Sequence, residues 1–400
     1  FLFFFVFCFY TCPGKLGNKA LKMVPNKRHD EDFDYLLKHN CNNQNESKLL
    51  NVKNISFKEP KFEYSGACAG CGETPYITNL TRVFGNNLII SNATGCSSIY
   101  GGSVPSMPYS IPWANSLFED NSEYGYGILT GINLKRNKIK KYMEEYPRNK
   151  TFKTWLENMN DYNICTDVKE KINYKKHPYL LEMKDYIVPK SLWVLGGDGF
   201  AYDIGYGGLD HILSKSENIN ILVLDTEVYS NTGGQSSKSS NLGSIASFTS
   251  KGKENYKKDL ARIAMCYPHV YVATTNIGYN KEQYLKVLKE AAEHNGPSLV
   301  IAYSPCIEHG IKTGMEHSQS NAYLASKCGY FITFRYNPDI NKLTLDTANP
   351  DFTKYEDYLM TENRFANLKR VNKDHAKEIL EKQKQWAINR YNYYKKISEE

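Results

Sequence analysis

Residues 192–231 read LWVLGGDGFAYDIGYGGLDHILSKSENINILVLDTEVYSN, and this stretch decides the fold. It contains two short apolar runs, at residues 192–195 and 219–224, with a helix-like segment at residues 206–215 between them. Runs that are apolar at every position are typical of strands whose two faces are both buried. The order of strand, helix and strand therefore predicts a parallel sheet with helices on both faces.

The same alternation continues on both sides of this stretch. Apolar runs predict further strands at residues 87–91, 270–273 and 298–303, and helical spacing predicts helices at residues 74–84 and 281–294. The sequence thus predicts the α/β class, with a doubly wound, mostly parallel sheet and helices on both of its faces.

Three segments lie outside this alternation. Residues 16–60 are polar and rich in Asn and Lys, which predicts a linker to a domain at residues 61–400. Residues 135–190 interrupt the alternation and predict an exposed, basic, helical insertion. In residues 374–400 apolar positions recur at helical spacing, which predicts a terminal amphipathic helix that serves as a docking surface rather than a membrane anchor.

The composition indicates the class of protein. The 400 residues are 41% hydrophobic and 23% charged, which is typical of a soluble globular chain and excludes a disordered, fibrous or multi-span membrane protein. The net charge is +7, and residues 135–190, with 14 Lys or Arg against 8 Asp or Glu, account for +6 of it. Charge confined to one segment indicates a solvated face, so we expect no nucleic-acid partner.

The chain begins with the apolar run FLFFFVFCFY at residues 1–10. This run is too short to span a bilayer, and it lacks the basic region and small-residue cleavage site of a signal peptide. We therefore expect no membrane span, and we expect the ten cysteines to be reduced thiols or metal ligands rather than disulfides. Because Phe1 is not an initiator residue, we also expect the sequence to be a fragment.

Four cysteines indicate a metal site. Cys68 and Cys71 form a C-x-x-C pair with small residues between them, and Cys96 and Cys306 each follow a predicted strand. Four thiolates suit a [4Fe–4S] cluster or a structural zinc ion equally well, and the pair alone also suits a dithiol redox site. The cysteines without a partner at ligand spacing are predicted to be small buried hydrophobes or surface thiols: Cys41, Cys165, Cys266 and Cys328.

Two polar segments that follow neighbouring predicted strands indicate an anion site. The Gly-rich turn at residues 196–199 lets the backbone approach phosphate oxygens, and Asp198 within it offers a carboxylate to Mg²⁺. After the next strand, the Thr226 hydroxyl, the Val228 carbonyl and the Asn231 amide offer further oxygens. Ligands bind beyond the carboxyl ends of strands in such sheets, so these segments predict a diphosphate bridged to the protein through Mg²⁺.

Long blocks of the sequence resemble the pyruvate:ferredoxin (flavodoxin) oxidoreductases. They read FEYSGACAGCGETPY at residues 62–76, NATGCSSIYGGSVPSMPY at 92–109, GGDGFAYDIGYGGLDH at 196–211, LDTEVYSNTGGQSSK at 224–238 and GPSLVIAYSPC at 296–306. The resemblance covers residues 62–395 and identifies them with the C-terminal thiamine diphosphate-binding domain of that multidomain enzyme. It implies the oxidative decarboxylation of pyruvate to acetyl-CoA and CO₂, with electrons passed through [4Fe–4S] clusters to ferredoxin or flavodoxin.

The resemblance also implies roles for individual residues. The [4Fe–4S] cluster nearest to thiamine diphosphate would be held by Cys68, Cys71, Cys96 and Cys306. Mg²⁺ would be held by Asp198, Thr226 and the Val228 carbonyl, and Asn231 would be the catalytic residue near the reacting carbon. The implied cofactor-binding residues are Glu73, Cys96, Gly197, Asp198, Gly199, Phe200, Thr226, Glu227, Val228, Tyr229, Ser230 and Asn231.

The chain departs from the family at its start. In residues 1–15, Cys8 and Cys12 resemble the end of a ferredoxin-like cluster-binding run, but Phe5 and Leu2 stand at the two earlier ligand positions. The family's domain that carries the cofactor-activating glutamate and the pyruvate contacts is missing from these 400 residues, so we expect the isolated fragment to be inactive. At residues 110–112 the sequence SIP stands where the family usually has a longer, Gly-containing stretch.

Three interpretations remain open at this stage. The first is the pyruvate:ferredoxin oxidoreductase, for which we expect pyruvate, coenzyme A and ferredoxin or flavodoxin as partners, a homodimer, and a location in the cytoplasm or in the matrix of a reduced mitochondrion-like organelle. The second is another 2-oxoacid oxidoreductase or a pyruvate:NADP fusion enzyme. The third is a zinc-stapled module without catalytic activity.

Overall fold

The computed structural model describes residues 31–32, 34–35, 50–58, 61–62, 66–102, 111–371 and 373–400. The chain divides into two compact units, residues 1–48 and 49–400, and the sheet lies in the second unit. The predicted remnant of a ferredoxin-like domain at residues 1–15, with Cys8 and Cys12, lies outside the described residues, as does Cys41.

Eight strands of the described part form one sheet, in the order β2-β1-β3-β4-β6-β5-β7-β8. The strands are β1 Leu88–Ala93, β2 Trp113–Ser116, β3 Ser191–Gly196, β4 Asn220–Asp225, β5 Tyr271–Thr275, β6 Ser298–Tyr303, β7 Phe334–Asn337 and β8 Lys342–Leu345. The first six pair in parallel, whereas β7 is antiparallel to β5 and β8 to β7. The predicted doubly wound, mostly parallel sheet is confirmed, and all five predicted strands are present.

The described helices are α1 Val52–Ser56, α2 Thr74–Phe84, α3 Cys96–Tyr100, α4 Asn121–Glu144, α5 Lys150–Glu157, α6 Tyr162–Lys171, α7 Pro178–Glu182, α8 Asp198–Ala201, α9 Tyr206–Leu213, α10 Leu260–Ala264, α11 Lys281–Glu293, α12 Ser318–Lys327, α13 Tyr355–Leu359, α14 Asn363–Ala366, α15 Leu368–Val371 and α16 Lys373–Glu399. Short 3-10 turns join several of them. The helices predicted at residues 74–84, 206–215 and 281–294 correspond to α2, α9 and α11.

Both faces of the sheet are buried beneath helices. Because side chains alternate along a strand, Val194 and Val223 pack in one apolar cluster with Leu209 of α9, while Leu195 and Leu222 belong to a second cluster on the opposite face with α2 and α11. Every residue of β4, β5 and β6 is buried. This explains why most positions of these strands are apolar and why they could be recognised in the sequence.

The order of the strands reverses between β1 and β3. From β1 the chain moves outward to β2, and it then returns to β3 and continues to β4 on the other side. Asn121, at the start of α4, spans this point: its Nδ2 donates to the carbonyls of Ser91 in β1 and Leu195 in β3, at 3.3 and 3.0 Å. In open α/β sheets, ligands bind in the crevice beyond the carboxyl ends of the strands at such a reversal.

The insertion at residues 135–190 is helical, as predicted, but the prediction that it is exposed is wrong for its centre. The second half of α4 packs with α5, α6 and α7 around a separate core in which Trp155 and Cys165 are completely buried. The Trp155 Nε1 donates to the Ile187 carbonyl at 2.8 Å, and Arg136 donates to the same carbonyl at 3.3 Å. The basic residues of the insertion surround this core, so the segment forms a small folded layer.

Two further expectations need correction. The predicted linker at residues 16–60 contains helix α1 near its end, where Ile55 is completely buried. The apolar face of the terminal helix α16 is already covered by this domain and is not a free docking surface. The Tyr394 ring contacts the Phe334 ring of β7 at a tilt, with centroids 4.3 Å apart, and Leu380 is buried in an apolar cluster with Leu368. A search of the described residues finds no helix that is both long enough and apolar enough to cross a membrane.

Candidate active site

The loops that follow four parallel strands supply the predicted site residues. Cys96 begins α3 after β1, Asp198 begins α8 after β3, Thr226 follows β4, and Cys306 follows β6. These strands are neighbours in the order β1-β3-β4-β6, so their carboxyl ends lie at one edge of the sheet. A direct contact joins two of the loops, because the Cys306 thiol donates to Ser230 Oγ at 3.3 Å.

Asp198, in the first predicted diphosphate element, is buried with only 3% of its surface exposed. Its Oδ2 accepts a hydrogen bond of 2.5 Å from Ser237 Oγ, whereas its Oδ1 has no hydrogen-bond partner among the described residues. Burial and then the negative charge of Asp225 raise the pKa of Asp198 well above its usual value. A buried carboxylate oxygen without a partner is costly, and a cation bound to it removes that cost.

The second predicted element is a tight loop after β4. Glu227 adopts a left-handed conformation with φ of 57°, which is unfavourable for a residue with a side chain. The turn brings the Thr226 hydroxyl to 3.0 Å from the Val228 carbonyl and also to 3.0 Å from Ser230 Oγ. On the other side of the loop, the buried His309 Nε2 lies 2.7 Å from the Thr226 carbonyl.

The oxygens at Asp198, Thr226 and Val228 fit the requirements of Mg²⁺. This ion prefers oxygen ligands in octahedral geometry at about 2.1 Å, so two ligands at adjacent corners lie about 3.0 Å apart. The Thr226 hydroxyl and the Val228 carbonyl have that separation, and Asp198 supplies an anionic oxygen that lacks another partner. The ligand roles of the three residues remain predictions, and the donor chemistry agrees with them.

A buried charge network supports the strained loop, and sequence reasoning missed it. The Glu227 carboxylate pairs with Lys257 at 2.8 Å and with Arg364 at 2.9 Å, and Lys257 also pairs with Asp225 at 2.7 Å. Burial opposes ionisation of Glu227, but Lys257 and Arg364 outweigh it and lower the pKa of this carboxyl to about 2. The Glu227 side chain therefore points into the protein interior, where its ion pairs with Lys257 and Arg364 fix the loop. The predicted contact of Glu227 with the cofactor would have to be made by its backbone.

The remaining residues of the loop extend toward the surface. Tyr229 pairs with Gln235 through a backbone hydrogen bond of 2.8 Å, and this closes the turn at whose tip Asn231 is exposed. Phe200, from the first element, is instead buried, and its ring packs against Gly196 so closely that a Cβ there would lie 2.4 Å from it. Asn231 is thus accessible to a ligand, whereas Phe200 supports the turn from beneath.

The C-x-x-C segment is held against the loop after β6. Gly72 N donates to the Pro305 carbonyl at 2.9 Å, and a Cβ at Gly72 would lie 2.4 Å from Pro305 N. Gly70 has φ of 70°, and a Cβ there would lie 2.0 Å from the Met315 carbonyl oxygen. Only glycine permits this approach at both positions. The glycine after Cys71 therefore brings the backbone of this segment against Pro305, the residue before Cys306.

Burial and neighbouring charges raise the pKa of three of the predicted cluster ligands, Cys71, Cys96 and Cys306. Burial and the charge of Glu73 raise the pKa of Cys71 to about 12, and burial raises that of Cys306 to about 11. Burial likewise raises the pKa of Cys96, with further contributions from Glu73 and the other three predicted ligands. Such thiols ionise when a metal supplies positive charge. Within the part of the chain that the structure describes, no three His, Cys, Asp or Glu side chains are arranged to hold a metal ion.

Three of the four cysteines predicted to lie outside the metal site are among the described residues, and they agree with that prediction. Cys165 and Cys328 are buried, and Cys266 is exposed. The seven cysteines among the described residues are all free thiols. Cys165 donates to the carbonyls of Asn158 and Met159 within the core of the insertion, both at 3.3 Å, so it has a packing role.

Glu73 lies buried beside the cysteines, with Tyr100 as its hydrogen-bond partner. The Tyr100 hydroxyl donates to Glu73 Oε2 at 2.7 Å. Burial, only partly offset by this hydrogen bond, raises the pKa of Glu73 from 4.5 to about 7. The carboxyl can therefore exchange a proton near neutral pH.

Glu73→Gln is expected to stabilise the metal-free chain above pH 7. The pKa of Glu73 is about 7 in the folded state and 4.5 in the unfolded state, so the folded state binds the proton more tightly. The stability that this proton contributes is complete below pH 4.5 and is lost as the pH rises to 7. Glutamine keeps the acceptor for Tyr100 but does not ionise, so the variant should exceed the wild type by at most about 3 kcal/mol at pH 8 and match it near pH 4.5. Urea unfolding at both pH values measures this difference. Exposed Glu119→Gln is the control, and an equal change in both variants would contradict the prediction.

A comparison with protein families finds a match for the central part of the chain. Residues 184–302, which contain both diphosphate elements, match a family model described as thiamine pyrophosphate enzyme, C-terminal TPP binding domain. The match covers about 30% of the chain and includes strands β3, β4 and β5 of the sheet described above.

Similarity over the whole chain is more specific. The pyruvate:ferredoxin oxidoreductase of Moorella thermoacetica is 41% identical over 432 residues, which cover 98% of this chain and 36% of the relative. The pyruvate-flavodoxin oxidoreductase of Trichormus variabilis is 40% identical over 96% of this chain and 35% of the relative. The mitochondrial pyruvate dehydrogenase (NADP(+)) of Euglena gracilis is 37% identical over 98% of this chain and 23% of the relative.

These similarities confirm the resemblance that the sequence motifs indicate. The chain is similar to the pyruvate:ferredoxin and pyruvate-flavodoxin oxidoreductases over nearly all of its residues, but it spans only about a third of their length. About two thirds of the length of these relatives lies outside the part that this chain matches.

Proposed function

We propose that this chain is the thiamine diphosphate-binding part of a pyruvate:ferredoxin or pyruvate:flavodoxin oxidoreductase. The reaction would convert pyruvate and coenzyme A to acetyl-CoA and CO₂ and pass two electrons to ferredoxin or flavodoxin. The observation that carries the proposal is the buried Asp198, whose Oδ1 has no hydrogen-bond partner among the described residues. Asp198, Thr226 and Val228 all lie within the segment that matches the family model.

Within this proposal, Asp198, Thr226 and Val228 hold Mg²⁺, and the Gly-rich turn with Gly197 and Gly199 accommodates the diphosphate. Asn231 is accessible at the tip of its loop and would contact the reacting end of the cofactor. When bound, thiamine diphosphate supplies the electron sink that decarboxylation of a 2-oxo acid requires. The chain's own contribution is to fix the charged end of the cofactor on a rigid, buried scaffold.

We further propose that Cys68, Cys71, Cys96 and Cys306 hold a [4Fe–4S] cluster. The contact between Cys306 and Ser230 supports this assignment, because Ser230 also bonds to the Thr226 hydroxyl and so links the cysteine site to the diphosphate loop. A cluster held there would lie beside the cofactor. Short separation is what single-electron transfer between the two groups requires.

The identity of the acceptor and the assembly are also proposals. We propose ferredoxin or flavodoxin as the electron acceptor, because the names of two relatives contain these proteins. The name of the Euglena relative contains NADP(+), which is the alternative acceptor. We propose a homodimer that includes the additional domains of the longer relatives, in the cytoplasm or in the matrix of a reduced mitochondrion-like organelle.

The proposed function is tested by comparing two polypeptides. Residues 1–400 alone are expected to bind thiamine diphosphate weakly and to reduce no viologen dye, whereas the full-length polypeptide is expected to reduce the dye only when both pyruvate and coenzyme A are present. Anaerobic dye reduction and iron and zinc analysis measure these outcomes. A full-length protein that contains zinc, lacks iron and reduces no dye would support the structural module instead. Turnover by residues 1–400 alone would contradict the expected need for the additional domains.

A further inference from the structure

The serine-rich segment that follows the diphosphate loop bonds to both elements of the proposed Mg²⁺ site. Ser237 Oγ donates to Asp198 Oδ2 at 2.5 Å, in the first element. Ser240 Oγ donates to the Glu227 carbonyl at 2.6 Å, in the second element. Both serines are at least 95% buried. The segment therefore fixes the two elements relative to each other, although neither serine was singled out from the sequence.

The direction of the bond from Ser237 follows from its other contacts. The backbone N–H groups of Ser239 and Ser240 donate to Ser237 Oγ at 3.0 and 3.2 Å. These two donors occupy the lone pairs of the hydroxyl, so its hydrogen is directed to Asp198 Oδ2. When a bound cation keeps Asp198 ionised, this bond is charge-assisted and therefore stronger than a bond between neutral groups.

The bond leaves Asp198 with one oxygen for a ligand. Its Oδ2 is engaged by Ser237, and its Oδ1 is buried without a hydrogen-bond partner in the described part of the chain. A carboxylate constrained in this way offers a cation a single oxygen. Mg²⁺ takes single oxygens in octahedral geometry, whereas Ca²⁺ is larger and readily takes both oxygens of one carboxylate.

A buried lysine keeps the serine segment in place. Lys253 Nζ donates to the carbonyls of Ser237 and Ser240, both at 2.7 Å, and only 8% of the residue is exposed. Because both ends of the segment are held by one ammonium group, the Ser237 hydroxyl cannot easily follow a carboxylate that rotates. The orientation of Asp198 is therefore imposed by the protein before a cation binds.

We propose that Ser237 is a positioning residue that makes Asp198 a single-oxygen ligand and so biases the site toward Mg²⁺ over Ca²⁺. This inference rests on the proposed function, since it assumes that Asp198 faces the metal of a bound Mg²⁺–diphosphate. Removing the hydroxyl frees Oδ2, and the carboxylate can then turn both oxygens toward a larger cation.

The test is the metal dependence of thiamine diphosphate binding by the full-length polypeptide. Ser237→Ala is expected to raise the Mg²⁺ concentration needed for half-maximal binding about 10- to 100-fold, as is typical when the partner of a metal ligand is removed. The Ca²⁺ requirement should change less, so the preference for Mg²⁺ over Ca²⁺ falls. Cofactor titration by protein fluorescence, with each ion in turn, measures both values in one preparation and makes their ratio independent of the folded fraction.

Ser239→Ala is the matched control. Ser239 lies in the same serine segment as Ser237, and its hydroxyl also donates a hydrogen bond of 2.5 Å to a buried carboxylate. That carboxylate belongs to Asp225 at the end of β4, which is not a proposed metal ligand. Ser239→Ala should lose stability but keep the wild-type ratio of the Mg²⁺ requirement to the Ca²⁺ requirement. Ser237→Thr retains the hydroxyl and should also keep this ratio. An unchanged ratio in Ser237→Ala, or an equal fall in Ser239→Ala, overturns the role of Ser237. Failure of the wild type to bind thiamine diphosphate with either ion overturns the proposed function itself.

Discussion

Cys68→Ser is expected to abolish the brown colour and broad visible absorption that residues 1–400 gain after anaerobic reconstitution with iron and sulfide. Cys68 is exposed, so replacing its sulfur by oxygen should not disturb the packing of the domain. A serine oxygen is a hard ligand and a poor substitute for a thiolate on iron. The loss should therefore concern the cluster next to the diphosphate loop and not the fold. Visible spectra, iron content and a thermal melt of the same samples separate the two effects.

Cys266→Ser provides the control, because Cys266 is the other exposed cysteine of the described chain. It should keep the iron content and the spectrum of the wild type. Cys165 is less suitable as a control, since its buried thiol donates to two carbonyls in the core of the insertion. Bleaching by Cys266→Ser together with an unchanged spectrum in Cys68→Ser would show that the proposed ligand set is wrong.

Much of the fold could be predicted because the central strands are buried on both faces. The run at residues 298–303 matches β6 at both ends, since a strand covered on both sides is apolar at most of its positions. The strands that were missed, β2, β7 and β8, lie toward the sheet edges and have four residues each. Residues such as Asn115 and Lys342 occupy them, and a short strand with polar positions has no distinctive periodicity.

Some residues of the candidate site could be predicted from local sequence patterns, and others could not because their partners are distant in the sequence. Asp198, Thr226 and Cys306 could be found because they follow apolar strands directly, and parallel strands end at one edge of the sheet. Lys257 and Arg364 could not, because they reach Glu227 from 30 and 137 positions away in the sequence and carry no local motif. The repeated serines at residues 236–240 were visible after the Gly-rich turn, but their partners become apparent only in the folded chain.

The cysteine and diphosphate sites share a small set of polar contacts. Ser230 touches Cys306 on one side and Thr226 on the other, and His309 binds the Thr226 carbonyl from the segment after Cys306. These hydrogen bonds join the two sites through Ser230, Thr226 and His309. For this reason iron content and cofactor affinity need to be measured on the same samples whenever one of these residues is changed.

Asp198→Asn is expected to weaken binding of thiamine diphosphate in the full-length protein while leaving the iron content unchanged. The substitution keeps the size of the side chain but removes its negative charge. In the wild type this charge belongs to a carboxylate whose Oδ1 has no hydrogen-bond partner among the described residues. Mg²⁺ depends on a few anionic protein oxygens, and losing one partner of a buried charge pair costs roughly 2–4 kcal/mol. This corresponds to about 30- to 1000-fold in affinity.

An alternative role for Asp198 makes a different prediction for the same variant. If the carboxylate only supports the turn after β3 through its bond to Ser237, Asp198→Asn should lower the melting temperature and leave cofactor affinity as it is. The charge argument predicts the opposite trend for stability in the absence of metal. Burial and the neighbouring charge of Asp225 disfavour the ionised carboxylate, so the neutral amide should be tolerated. Titrating thiamine diphosphate in saturating Mg²⁺, with thermal melts of both apo-proteins, distinguishes these roles, and equal affinities would exclude Asp198 as the metal anchor.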